Sequence, residues 1–303
     1  MSVKAGFVSI IGKPNVGKST LMNALIGEKL SITANKPQTT RKKIIGILSD
    51  ENYQIIFQDT PGILNPEYLM QERMYEYITE AVKDADLLLF MIDISTDPTG
   101  QRTLSDERVY NLLKDKSIKK ILLINKVDLV SQNEVEALIR QLEKNDLFEK
   151  IIPISATANY NLQTVIDTIL EYLPEHPKYF PDDQLSDANE RFFVSEIIRE
   201  KIFEMYQEEI PYSTEVVIEE FKERENAKDY IRAVIVVEKE TQKPIIIGAK
   251  GEMIKKLGRK AREAIEAFLG REVYLELFVK VREKWRSNPH MLKSFGYIKP
   301  DEK

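Results

Sequence analysis

Gly12-Lys13-Pro14-Asn15-Val16-Gly17-Lys18-Ser19 stands between an apolar run, Phe7-Val8-Ser9-Ile10-Ile11, and an amphipathic stretch from Leu21 to Ile26. The spacing is that of a phosphate-binding loop, G-x-x-x-x-G-K-[ST], in a strand–loop–helix setting. Glycine at both ends lets the chain wrap phosphate oxygens closely, so that consecutive backbone N–H groups and a helix N-terminus face the anion. Gly12, Asn15, Val16, Gly17, Lys18, Ser19 and Thr20 form the expected cradle. Lys18 reaches for the terminal phosphates, and the Ser19 hydroxyl suits Mg²⁺. The loop predicts a bound nucleoside triphosphate.

The base is read further on, where Ile121-Leu122-Leu123-Ile124 runs into Asn125-Lys126-Val127-Asp128. A carboxylate only accepts hydrogen bonds, so Asp128 can take both donors on the ring edge of guanine. Adenine offers no such pair. Hydrogen bonds to a charged group are worth roughly 1.5–3 kcal/mol each, and two of them discriminate by orders of magnitude. Asn125 is expected to brace the loop, and the Lys126 stem to cover the base. After Ile151-Ile152-Pro153-Ile154, the backbone of Ser155-Ala156 is in reach of the guanine carbonyl. Together these residues predict GTP and GDP as ligands.

Two segments between these motifs suit γ-phosphate sensing. Ile55-Ile56-Phe57-Gln58-Asp59 is a strand ending in an acid that can hold Mg²⁺ through water, followed by Thr60-Pro61-Gly62. The Gly62 N–H can approach the γ-phosphate because no side chain blocks it. Upstream, Lys36-Pro37-Gln38-Thr39-Thr40-Arg41 offers a threonine as a Mg²⁺ ligand, with Thr40 favoured over Thr39. Lys18, Thr40 and Gly62 are thus the groups expected to act on the transferred phosphate, and Ser19, Thr40 and Asp59 the metal ligands.

Alternating apolar strands and amphipathic helices carry these motifs. Strands are expected near 5–11, 43–48, 53–58, 87–92, 120–124 and 151–154, and helices near 18–27, 68–83, 104–114, 133–145 and 162–172. Such alternation predicts a doubly wound α/β domain with its ligand at the carboxyl ends of the strands, where every nucleotide motif falls. Two strands joined at Asp50-Glu51-Asn52 predict one antiparallel edge strand. The domain is expected over 1–173. Residues 174–189, with three prolines from Pro174 to Pro181, read as a linker.

The order then changes over 190–303. A helix at 190–206, strands near 214–221 and 230–238, a short apolar segment at 244–247, a helix at 252–268 and a strand at 272–281 give α-β-β-α-α-β. Gly248-Ala249-Lys250-Gly251 joins the last two helical segments, and the whole resembles an α+β KH domain of the bacterial type (type II). Such a glycine loop clamps about four unpaired nucleotides beside an apolar groove. Lys250, Lys255, Lys256, Arg259, Lys260 and Arg262 face a single acid, Glu252, within 250–262, as phosphate contacts require. The expected RNA contacts are Ile247, Gly248, Ala249, Lys250, Gly251, Lys255, Lys256 and Arg259, with Lys280 and Arg282 from a second basic cluster. Trp285, the only tryptophan, either stacks on a base or packs into the domain core.

Composition narrows the classes. The chain of 303 residues is 43% hydrophobic, with a net charge of −5, two histidines and no cysteine. Disulfides, thiolate metal sites and cysteine catalysis are excluded. The longest apolar run, Leu87 to Ile92, is too short to span a bilayer. Met1-Ser2-Val3-Lys4-Ala5 enters the first strand without a signal sequence, and the expectation is a soluble cytoplasmic protein.

G-K-P-N-V-G-K-S, P-Q-T-T-R, D-T-P-G, N-K-V-D and S-A in this order resemble the translation-factor-related GTPases, and P-Q-T-T-R with the KH-like tail resembles the Era family over essentially the whole chain. The resemblance implies a monomeric GTP-hydrolysing switch that binds single-stranded small-subunit (16S) ribosomal RNA near its terminal end and assists small-subunit assembly. It also implies a peripheral association with the inner face of the cell membrane. The alternative is a constitutive RNA-binding protein that uses GTP for folding or docking. Where Ras-type enzymes carry a water-orienting glutamine, this chain has Ile63. Slow intrinsic turnover is expected, with water positioned by backbone groups and by a monovalent cation, K⁺, held near Asn15.

Overall fold

Leu87 to Asp93 is buried at every position, as a strand covered on both faces must be. It lies inside a sheet built by the first part of the chain. In chain order the elements are β1 (Val3–Gly12), α1 (Lys18–Ile26), β2 (Ile44–Ser49), β3 (Tyr53–Asp59), α2 (Leu69–Lys83), β4 (Leu87–Asp93), α3 (Gln101–Leu104), α4 (Glu107–Leu113), β5 (Lys119–Asn125), α5 (Gln132–Leu142), β6 (Lys150–Pro153), α6 (Leu162–Tyr172) and β7 (Glu175–His176). The computed structural model describes residues 2–34, 36–144 and 146–299. The expected helix end at Asn145 and the outer domain limits at Met1 and 303 lie outside the described residues. The chain divides into two compact units, one of residues up to 65 with 74–187, the other of 66–73 with those from 188 onward.

The strand order of the first sheet is β2-β3-β1-β4-β5-β6, with β7 added beside β1. Neighbours are parallel except the edge strand β2, antiparallel to β3, and β7, antiparallel to β1. Gly12, Asp59, Asp93 and Asn125 end β1, β3, β4 and β5, so the residues able to meet a ligand share one edge. The helix expected at 104–114 is broken in two. Asp106 caps α4 by accepting the Arg108 N–H, which ends the preceding turn.

The proline-bearing stretch read as a linker is packed over most of its length on the first unit. Glu175–His176 pairs with Val3 and Lys4. The buried Gln54 side chain accepts from the Tyr179 and Phe180 N–H groups at 2.7 and 2.9 Å and donates to the Phe180 carbonyl at 2.8 Å. Ile47 N–H donates to the Leu185 carbonyl at 2.8 Å, and Ser186 Oγ to the Ile45 carbonyl at 2.6 Å. Outward-facing groups of the edge strand are thereby satisfied without another strand. Aperiodic sequence concealed this because a two-residue ladder, side chains and single backbone contacts hold the segment.

The second unit runs α7 (Glu190–Met205), β8 (Glu215–Lys222), β9 (Asp229–Val237), α8 (Gln242–Ile247), α9 (Glu252–Leu269), β10 (Val273–Val281) and α10 (Pro289–Ser294). Its sheet order is β10-β9-β8, with β9 antiparallel to β8 and parallel to β10. Alternate residues of β9, Ile231, Ala233, Ile235 and Val237, join Val194, Ile198 and Ile202 of α7 and Leu257, Ala261 and Ile265 of α9 in one core. Those helix positions recur every three or four residues and form the buried face.

Candidate nucleotide site and nucleic-acid interface

The phosphate loop lines a cavity of about 650 Å³ in the first unit, shared with Thr39, Thr40, Gly62, Asp93, Asn125 and Lys126. Its glycines are required by close approach. A Cβ on Gly17, where φ is +101°, would overlap Asn125 Nδ2, and one on Gly12 would lie 2.6 Å from the Met91 carbonyl oxygen. A Cβ on Gly62 would lie 2.7 Å from Pro14 Cα, so the segment after Asp59 rests directly on the loop. Ile63 N–H donates to the Gly12 carbonyl at 3.0 Å, and the Ile63 side chain is buried in the core. Its side chain therefore plays no part in handling water.

Three oxygens converge beside the loop. Ser19 Oγ lies 2.8 Å from Thr40 Oγ1 and donates to Asp59 Oδ2 at 2.6 Å, while Thr40 Oγ1 is 3.4 Å from the same carboxylate oxygen. Thr39 is turned away, its hydroxyl donating to the Lys36 carbonyl at 2.7 Å. Asp59 is fully buried, and its Oδ1 has no hydrogen-bond partner among the described residues. Burial raises the Asp59 pKa, against the pull of Ser19, Lys18 and Thr40. A buried carboxylate with an unpartnered oxygen and two hydroxyls is a donor set that fits Mg²⁺. No group of three or more Asp, Glu or His side chains able to hold a metal occurs among the described residues. The remaining ligands of such an ion must come from phosphates and water, as is usual for Mg²⁺.

Lys18 Nζ donates to the Gly12 and Lys13 carbonyls at 3.3 and 3.1 Å. Burial lowers its pKa to about 8, opposed by the charge of Asp59. An anion in the cavity would add to the countercharge that Asp59 supplies to this ammonium.

Asn125 ties the base-reading segment to the loop. Its Nδ2 donates to the Val16 carbonyl at 2.7 Å, and its Oδ1 accepts the Ala156 N–H at 3.0 Å. Ser155 N–H is committed to the Tyr160 carbonyl at 3.3 Å. A guanine oxygen would therefore have to share the Ala156 N–H with Asn125. Lys126 adopts φ of +66° and donates to Asp93 Oδ2 at 2.6 Å. Asp93 also accepts from Ser95 N–H and Oγ; burial opposes its ionisation, but Lys126 and Ser95 hold its carboxyl below the usual range. Asp93, which holds the Lys126 ammonium, is not among the residues singled out from the sequence. Its signal was there, because it ends an apolar strand as Asp59 does. Asp128 is exposed on a short 3₁₀ turn, Val127–Leu129.

In the second unit, Gly248 (φ +74°), Lys250 (φ +51°) and Gly251 (φ +78°) make a turn between α8 and α9. A Cβ on Gly248 would lie 2.6 Å from Met253 Cβ, whereas one on Gly251 would meet nothing within 4 Å. Gly248 is needed for packing, whereas the Cα face of Gly251 is open to a neighbour, its N–H being bonded to the Gly248 carbonyl at 3.1 Å. Ile247 closes α8 half-buried, and Ala249 and Lys250 are exposed at the tip. Lys255, Lys256 and Arg259 are exposed on α9, opposite its buried face. The second basic cluster is different. Lys280 Nζ donates to Glu219 Oε1 at 2.6 Å across the sheet, and Arg286 pairs with Glu238. Lys280 alternates with Val279 and Val281, which face the core, so it lies on the sheet face away from α9 and is not brought to the glycine loop. Arg282 is exposed. Trp285 is fully buried, with Nε1 donating to the Ser213 carbonyl at 2.9 Å and its ring edge-on to Phe295. It is a core residue.

A family model for 50S ribosome-binding GTPases matches residues 7–126, and one for KH domains matches residues 209–286. GTPase Era of Geotalea daltonii is 45% identical over 293 residues, covering 97% of each chain. This chain belongs to the Era GTPase family. Era of Halothermothrix orenii is also 45% identical, over 98% of this chain and 99% of its own. A crystal structure of an Aquifex aeolicus Era variant bound to GDP·AlF4⁻ matches with a TM-score of 0.93 and 41% identity, covering 98% of this chain and 100% of that one. An Era structure in complex with MgGDPNP and nucleotides 1506–1542 of 16S ribosomal RNA matches with the same figures. As an Era family member, the chain is a GTP-binding enzyme that hydrolyses GTP, with a P-loop GTPase domain followed by a KH domain. No helix among the described residues is long and apolar enough to cross a membrane.

Proposed function

We propose that this GTPase reads single-stranded RNA at the terminal end of the small-subunit ribosomal RNA and uses GTP hydrolysis to time its part in small-subunit assembly. The observation that carries the reading is the glycine loop, with open space over the Gly251 Cα beside the exposed Lys255, Lys256 and Arg259. Backbone and cations so disposed fit a sugar-phosphate chain. The Era relative crystallised with MgGDPNP and 16S ribosomal RNA supports the same partner.

In the first unit, Asp128 would accept the guanine donors, Asn125 would hold the base loop on the phosphate loop, and Lys126 would cover the base. Lys18 would exchange two loop carbonyls for phosphate oxygens. Ser19 and Thr40 would ligate Mg²⁺, with Asp59 behind them, and the ion would neutralise charge between the terminal phosphates. Thr40 is the choice over Thr39 because its hydroxyl already faces Ser19 and Asp59. The Gly62 N–H would meet the γ-phosphate. Asn15, at φ of +63°, would help hold K⁺ beside the phosphates, and turnover that is equal in K⁺ and Na⁺ would remove the cation from the scheme. The working place is the cytoplasm, as a monomer, with peripheral membrane contact carried by family resemblance alone.

The deciding experiment measures binding of an RNA copying the small-subunit tail with a GTP analogue, with GDP and without nucleotide, alongside Gly251→Asp. Binding that differs between nucleotides and is weakened in the variant supports a GTP-gated reader, since a ligand shifts only what it binds differentially. Nucleotide-independent binding would instead favour a constitutive RNA-binding protein with GTP in a folding or docking role.

A further inference from the structure

Asp106 and Arg108 connect two parts of the nucleotide site that the motifs leave separate. Asp106 caps α4, and its carboxylate accepts the Arg108 N–H at 3.1 Å. The same carboxylate lies 3.4 Å from Lys13 Nζ, in the phosphate loop, and 3.3 Å from Arg108 Nε. Lys13 Nζ also donates to the Arg102 carbonyl at 3.1 Å, which holds the loop to the turn before α4. The far side of the Arg108 guanidinium donates from Nη1 to Asn65 Oδ1 at 2.6 Å. Asn65 follows Gly62 by three residues. Burial opposes ionisation of Asp106, but bonds from Arg108 and Lys13 hold its carboxyl below the usual range, so the network is charged at neutral pH.

The main chain after Gly62 is thus anchored twice, by Ile63 N–H on the Gly12 carbonyl and by the Asn65 side chain on Arg108. Hydrolysis here has no carboxamide at position 63 to orient water, because that side chain is an isoleucine in the core. Backbone donors can orient water only if the segment bearing them is held still, which is the condition for electrostatic preorganisation. We infer that Asp106 and Arg108 are positioning residues that hold the Gly62–Asn65 main chain against the phosphate loop for the hydrolytic step. The planar guanidinium fork is what the role requires, since it bonds a carboxylate with one edge and a carboxamide with another. An ammonium at that position gathers its donors on one atom and lacks the separate nitrogens by which Arg108 reaches Asp106 and Asn65 at once.

The test compares Arg108→Ala, Arg108→Lys, Asn65→Ala and the double Asn65→Ala/Arg108→Ala variant in multiple-turnover GTP hydrolysis, with GDP affinity and thermal unfolding measured in parallel. Each single variant is expected to lower kcat by about three- to tenfold, the range for loss of one solvent-exposed hydrogen bond. GDP affinity and unfolding temperature should stay at the parent value. The double variant should be no slower than either single one, because both break the same link. Arg108→Lys should lose as much kcat as Arg108→Ala. Parental kcat in Arg108→Lys, multiplicative losses in the double variant, or a fall in GDP affinity matching the fall in kcat would each overturn the assignment.

Discussion

The nucleotide site and the glycine loop of the KH unit solve opposite problems. In the first, Asn125, Asp59, Lys18 and Thr40 are buried, and each bonds to an element other than its own before any ligand arrives. In the second, the expected contacts are backbone and exposed side chains. Two glycines set the backbone, and the cations beside it are exposed on one face of α9. A small, highly charged ligand of fixed shape rewards preorganised donors, because their ordering is complete before binding. A flexible polyanion is met instead by an open backbone and mobile charges, at a gain that salt screens. A substitution should therefore act through sterics and lost bonds in the first region and through graded electrostatics in the second.

Gly17→Ala should give the largest effect. Its Cβ would occupy the place of Asn125 Nδ2 at a φ that L-residues avoid, and GDP affinity is expected to fall by more than about a hundredfold. Near-parental affinity, read by calorimetry, would show that the brace yields and that the first region is softer than described. Asp128→Ala comes next. Loss of two charge-assisted bonds should weaken GDP by about a hundredfold or more and narrow the preference over ADP, as competition would show. Gly251→Asp should weaken RNA by about tenfold through like-charge repulsion and local strain, with GDP affinity unchanged. An equal loss of nucleotide affinity would dissolve the contrast. The smallest effect belongs to Lys255→Ala: a few-fold weaker RNA binding, and a slope of log affinity against log salt shallower by about 0.7. Lys280→Ala, removed from the loop and paired with Glu219, should leave that slope where it was.

Much of the site was legible because motifs encode backbone and donor requirements locally. A glycine that must admit a phosphate, or an acid ending an apolar strand, is recognisable without knowing its neighbours. The same locality explains what was missed. Lys280 reads as an RNA contact in the sequence because its partner, Glu219, lies on another strand many residues away. In the acid-rich stretch from Glu215 to Asp229, likewise, Glu215 is buried and accepts from the Tyr297 hydroxyl at 2.6 Å, and Asp229 is buried against Arg271, pairings with residues far along the chain.

By itself the amino-acid sequence determined the class of ligand, the alternation that makes a doubly wound sheet, the change to α-β-β-α-α-β order, and the positions where glycine is obligatory. These follow from period, turn chemistry and hydrogen-bonding capacity, all carried by residues close together in the chain. Only the tertiary structure decided that Thr40 rather than Thr39 faces Ser19, that Trp285 is core, that 174–187 packs on the first sheet, and that Asp106 and Arg108 join Lys13 to Asn65. Each of those depends on which groups from distant segments meet at bonding distance. Register and packing set that distance, and no local pattern records it.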